Sequence, residues 1–321
     1  MLRPKGTARR NRYDNSAYFY LLPALLLLAV FIVYPIMNTL ITSFKGEYRF
    51  LTGDFEGYSW QNYVEIIKDP IFRRAILNTL FIAFVCIPAS MAIALFLSLI
   101  LNSIQKWQGF FMTLFYLPQV TNVIAAGIVF AFMFNTNFGV INMILGWFGI
   151  DPVAWISGQG IASSPKLYHQ AYARSLFIVF VYTVWQGISL KIILFLSGLQ
   201  NINKQYYQAA KVDGTSTWRM IRKITLPLLS PTTLYVFITS VITAFKAYAQ
   251  VVALFGNQYG PAGDDSKMMI TIVGYMMDSM GDYLSPGSIS KASSAAMILV
   301  VMVMIVTAVQ IKISKKWVHY N

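Results

Sequence analysis

Apolar residues recur in six long runs, 18–44, 75–101, 110–134, 175–199, 232–255 and 292–313. A bilayer core takes about 20 consecutive apolar residues as helix. Each run therefore predicts a membrane span, and the chain reads as an all-α polytopic membrane protein with six transmembrane helices. Polar stretches divide it into a basic N-terminus (1–17), a first span (18–44), an outer loop (45–74) and a core (75–321) holding spans two to six and a polar loop at 200–227. The apolar piece 140–150 is too short to span and predicts an interfacial or re-entrant helix. Six spans put both termini on one side of the membrane. The first span follows Arg3, Lys5, Arg9, Arg10 and Arg12, as a secretory signal would, but it runs too long and lacks a small-x-small cleavage site. The expected form is a retained signal anchor.

Polar residues inside the runs are mostly neutral: Asn78, Gln119, Asn122, Tyr182, Gln186 and Gln250, with Tyr248 beside the last. Two lysines join them. Lys191 is expected to snorkel to the inner headgroups. Lys246 lies 19 residues beyond Pro227, so at 1.5 Å per residue it should sit roughly 28 Å further along the helix, near the outer surface. Helix–helix hydrogen bonding and snorkelling account for any one of these residues. Together they also suit a neutral, aromatic-walled path for a polyhydroxylated solute. Pro88, and Pro118-Gln119 with Thr121-Asn122, would break spans two and three, which is tolerated where freed backbone groups line a cavity.

Composition sharpens this picture. Of 321 residues, 57% are hydrophobic and 12% charged, with mean hydropathy +0.57; a soluble domain carries about 25% charged residues. None of the 12 acids falls within a run, which argues against an ion-coupled secondary transporter, since such proteins usually place a carboxylate in the membrane. One cysteine, Cys86, and two histidines, His169 and His319, leave no metal site to expect and little for imidazole catalysis. No phosphate-binding loop and no nucleophile–base arrangement is present. No catalytic residue and no cofactor is expected. The net charge of +13 follows the membrane rather than nucleic acid. With the N-terminus inside, the inner segments hold fifteen of the 25 Lys and Arg but only Asp14 and Asp213 among the acids. That asymmetry predicts cytoplasmic termini and a cytoplasmic 200–227 loop.

The loop has a shape of its own. Residues 204–212 favour a short helix, Ala209 and Ala210 offer a bare face for close approach, and Gly214 can take the left-handed conformation that ends a helix. Asp213 can bond into the turn, and Pro227 suits the first turn of the next helix. A solvated connector and a docking knob both fit these features.

The run Gln208-Ala209-Ala210-Lys211-Val212-Asp213-Gly214, followed after nine residues by Ile224-Thr225-Leu226-Pro227, resembles the E-A-A-x-x-x-G-x(9)-I-x-L-P loop of the membrane subunits of binding-protein-dependent ABC importers. The likeness extends to Leu21-Leu22-Pro23-Ala24, Tyr34-Pro35, Asn62-Tyr63, Asn78-Thr79, Phe115-Tyr116-Leu117-Pro118, Phe138-Gly139 with Asn142, Gly198-Leu199-Gln200 and Leu226-Pro227-Leu228-Leu229-Ser230-Pro231. It is most similar to the maltose-type and glycerol-phosphate-type sugar permeases. Phe245-Lys246 resembles the first of their two unlike subunits. The resemblance implies a heterodimer with a second permease, two cytoplasmic ATPases, an external solute-binding protein and a sugar or oligosaccharide as solute, all in a bacterial or archaeal cell membrane. It implies that Gln208, Ala209, Ala210, Asp213, Gly214, Ile224, Leu226 and Pro227 couple to the ATPase, and that the chain itself is no enzyme. A glycerol phosphodiester importer is the nearest rival. Gln208 departs from the family's Glu, Ala249 from an Asp common in first subunits, and Gly256-Asn257-Gln258-Tyr259-Gly260-Pro261 from a tighter G-G-P.

Overall fold

A computed structural model describes residues 11–104, 106–156, 164–261 and 266–318. The expected basic residues Arg3, Lys5, Arg9 and Arg10, and His319, lie outside them. Among the described residues the regular structure is all helical apart from one isolated antiparallel bridge, Lys45 to Tyr58. In chain order the helices are α1 (Tyr18–Ser43), α2 (Gln61–Lys68), α3 (Pro70–Ser103), α4 (Gln108–Val120), α5 (Val123–Met133), α6 (Val140–Trp147), α7 (Pro165–Gln200), α8 (Lys204–Val212), α9 (Thr217–Leu228), α10 (Ser230–Phe245), α11 (Ala249–Phe255), α12 (Ile272–Gly281) and α13 (Ser288–Ser314). Helices α1, α3, α7 and α13 are each long and apolar enough to cross a membrane, and the pairs α4–α5 and α9–α10 bend by 94° and 63° at their breaks.

The runs 18–44, 75–101, 175–199 and 292–313 correspond to these four helices, with most ends shifted by a few residues and α7 starting ten residues early. The second starts early because Asp69 Oδ1 accepts the Ile71 amide at 2.8 Å and Pro70 occupies the first turn, both strong helix-start features. Residues 45–74 therefore do not form a simple loop: they contain α2 and the beginning of α3. The run 110–134 is broken at Thr121-Asn122, whose backbone is extended. Asn122 Oδ1 then caps α5 by accepting the amides of Ile124 and Ala125 at 2.8 and 3.2 Å.

The run 232–255 is a correction. It is two helices, α10 and α11, separated at Lys246, Ala247 and Tyr248. None of the three is a helix breaker. The break is held from a distance, by Thr271 Oγ1 donating to the Ala247 carbonyl at 2.6 Å.

Helix α3 packs along α7, and α4 also leans on α7; α5 packs on α11, while α13 covers α2, α12 and the second half of α1. Small hydroxyl residues make these approaches close, as helix pairs in lipid require. Ser98 Oγ reaches Ile192 O at 3.1 Å and Ser294 Oγ reaches Ser43 O at 2.9 Å. The first half of α1 buries none of its side chains and is apolar all round, as a lipid-facing helix should be.

Candidate functional site

Helices α3, α4, α5, α7, α10 and α11 line a cavity of about 440 Å³. Both helix breaks reach its wall, through Thr121 on one side and Lys246, Ala247 and Tyr248 on the other. Five of the residues expected along a solute path face it: Gln119, Gln186, Lys246, Tyr248 and Gln250. They come from three separate stretches of chain and share no local structure. Lys246, expected near the outer surface, thus lines the same cavity as Gln186.

Three expected residues are spent elsewhere. Asn78 is fully buried; its Nδ2 donates to Met268 O and Ile270 O at 3.0 and 2.8 Å, and its Oδ1 accepts from Tyr172 Oη at 2.7 Å. It clamps the segment before α12 to α3. Tyr182 is also fully buried and donates to Val123 O at 2.6 Å, satisfying a carbonyl beside the Thr121-Asn122 break. Asn122 uses its side-chain oxygen as the α5 cap and does not line the cavity.

The expectation for Lys191 also changes. It does not extend to headgroups but is 6% exposed, lines the cavity, and donates from Nζ to Gly187 O at 2.8 Å. A Cβ at Gly187 would stand 3.0 Å from that Nζ, a tight contact that the ammonium would have to ease by a few tenths of an ångström. Sequence reasoning also passed over Thr183, Thr239 and Thr243 on the wall. A signal existed. Thr239, Thr243, Lys246 and Gln250 recur at i, i+4, i+7 and i+11, a polar stripe within an apolar run.

The second candidate region is α8 with the turn that follows. Asn203 Oδ1 accepts the Gln205 amide at 2.9 Å to start the helix. Gly214, at φ +67°, ends it, with its amide donating to Lys211 O at 3.0 Å and that of Thr215 to Ala210 O at 2.9 Å. This is the left-handed glycine stop the sequence suggests. Tyr207 Oη and Thr225 Oγ1, 3.0 Å apart, tie α8 to the segment carrying Ile224, Leu226 and Pro227. Gln208, Ala209 and Asp213 are exposed, but Ala210 is buried against its own chain. The alanine pair is therefore half of the open face expected. The exposed apolar residues are Val212 at 89% and Trp218 at 71%, with Tyr206. No motif singled these out, since an apolar residue within a polar loop reads as core until its exposure is seen.

Comparison with known proteins places this architecture. A family model described as the binding-protein-dependent transport system inner membrane component matches residues 67–318. The lactose transport system permease protein of Rhizobium radiobacter is 30% identical over 302 residues, 93% of each chain. The arabinooligosaccharides transport system permease protein of Bacillus subtilis is 28% identical over 306 residues, covering 94% of this chain and 90% of that one. A crystal structure of a bacterial ABC transporter involved in the import of the acidic polysaccharide alginate contains a chain of the same fold. That match has TM-score 0.75 and 20% identity, and covers 95% of this chain and 96% of that one. This chain belongs to the family of inner membrane components of binding-protein-dependent transport systems.

Proposed function

We propose that this chain is one of two unlike permease subunits of an ABC importer and forms half of the path for a sugar or oligosaccharide. The observation that carries this reading is the convergence of Gln119, Gln186, Tyr248 and Gln250 on one membrane cavity. Amides and a phenol offer the paired donors and acceptors, with stacking surface, that sugar hydroxyls need. The sugar-transport names of the relatives support it. An external binding protein delivers the solute, and two ATPases dock on the side where α8 lies, the side that also holds both termini. Movement of α8 with its docking cleft swings the spans between inward- and outward-facing states. The chain itself breaks no covalent bond.

Cysteines at Gln186 and Gln250, in a Cys86→Ala background, test the path. Both should react with a small water-soluble thiol reagent in the assembled transporter, at rates that differ between nucleotide-free and ATP-bound states. Tyr182→Cys should stay unreactive. Silence from both cavity positions in both states would place the path elsewhere.

Gln208 is exposed on α8, in the position of the family's glutamate. Because glutamine keeps the carbonyl oxygen and nearly the same shape, Gln208→Glu should leave transport within a factor of a few. If the interface were tuned to a neutral amide, a desolvated charge would instead lose ~2–5 kcal/mol of docking. Assembly of the two variants with the same ATPase at two salt concentrations distinguishes these outcomes.

A further inference from the structure

We propose that the cavity receives an anionic group, so that the solute is an acidic saccharide, a sugar chain carrying carboxylates. The inference rests on the reading of this cavity as the solute path and deepens it. Among the described residues two cations line the cavity, Lys191 and Lys246, and no Asp or Glu does. Among the described residues neither lysine takes part in an ion pair; the pairs found are Lys267 with Asp278 and Lys291 with Glu65.

Lys191 is the more telling of the two. A buried ammonium is normally held by a carboxylate or by several carbonyls, because its desolvation is otherwise uncompensated. Here Nζ has one carbonyl of its own helix, Gly187 O, and two further protons to offer. The side chain curls back one turn to reach it, passing close over Gly187, where an added Cβ would stand 3.0 Å from Nζ. The ammonium is thus kept at the cavity wall rather than released along α7. Gln250 Nε2, on the same wall, is buried and has no hydrogen-bond partner. The unmatched polar groups of the wall are therefore two ammoniums, an amide donor and the Thr183 hydroxyl, and no described residue sets a full negative charge beside them. A neutral sugar would satisfy the amide but leave the charges uncompensated. A carboxylate can accept from both kinds of donor, ammonium and amide, and is favoured further by the low dielectric of the site.

The test uses the complete transporter in lipid nanodiscs, with Thr243→Cys as reporter in a Cys86→Ala background. Thr243 lines the cavity but is exposed and hydrogen-bonds within its own helix. Two thiosulfonate reagents of similar size, one anionic and one cationic, are compared. The ratio of anionic to cationic rate should fall about tenfold or more when Lys191→Gln and Lys246→Gln are combined, since a charged cleft concentrates counter-ions by factors of that order. Lys246→Gln alone, at an exposed position, should give part of the fall without burdening the packing. Trigalacturonate should slow the reporter reaction, and maltotriose at the same concentration should not. An unchanged ratio in the double variant, or equal protection by maltotriose, would overturn the acidic-saccharide assignment while leaving the sugar path intact. A Thr243→Cys that stays unreactive in every nucleotide state would overturn both.

Discussion

Gly214→Pro is expected to abolish solute-stimulated ATP hydrolysis while the subunit still inserts in the membrane. The position has φ +67° and its amide donates to Lys211 O. Proline locks φ near −65° and has no N–H, so it can supply neither, and such a conflict costs about 3 kcal/mol or more. With the stop lost, the exposed Val212 and Trp218 on either side of the turn no longer keep their positions relative to Gln208 and Ala209. Gly214→Ala separates conformation from bulk. No atom lies within 4 Å of the Cβ it would add, so only the left-handed backbone is penalised, by about 1–2 kcal/mol, and partial stimulation should survive. Val212→Asp leaves the turn intact and should weaken ATPase docking by itself. A charged side chain at Ala210 should act differently, disturbing the loop from within, because that residue is buried against its own chain. Wild-type stimulation in a fully assembled Gly214→Pro complex would rule out a coupling role for α8.

The spans were legible wherever the determinant was local. A continuous apolar run suffices for α7 and α13, and the Pro118-Gln119 and Thr121-Asn122 pairs announce a break that the Asn122 cap then makes. The left-handed stop at Gly214 was legible for the same reason. The break after Phe245 was not, because Lys246-Ala247-Tyr248 are all acceptable in a helix; Thr271, more than twenty residues away, holds the Ala247 carbonyl. Asn78 and Tyr182 show the converse error. Each is a polar residue in an apolar run, as Gln186 is, and periodicity alone cannot tell a side chain that closes a backbone gap from one that faces a cavity. The difference lies in whether a freed carbonyl is within reach: Ile270 O for Asn78, Val123 O for Tyr182. Lys191 was misassigned because snorkelling is the default for a lysine near a helix end. Here the Gly187 carbonyl, one turn away, holds the ammonium instead.

Gly127→Ala should disable transport through packing alone, and Ala253→Gly should restore it. Gly127 is buried on α5, where a Cβ would lie 2.3 Å from the Cβ of Ala253 on α11. Carbon atoms in contact prefer roughly 3.5–4.0 Å, so the two short helices would have to part by more than an ångström. Neither can yield by a rotamer change, because a methyl group has none. Overpacking of this kind costs about 1–3 kcal/mol. Its consequence is specific here, since α5 begins at Val123 and α11 carries Gln250, both on the cavity wall. Separating the helices shifts that wall and loosens the break that Thr271 holds. Ala253→Gly alone gives up about 0.5–1 kcal/mol of helix propensity and should be nearly silent in transport. Combined with Gly127→Ala it returns one methyl to the interface from the opposite side, and uptake and thermal stability should both recover towards wild type. Gly127→Val should not be rescued, because its branched side chain exceeds the volume released. Were the double variant no better than Gly127→Ala, the close approach of α5 and α11 would not be what shapes the cavity.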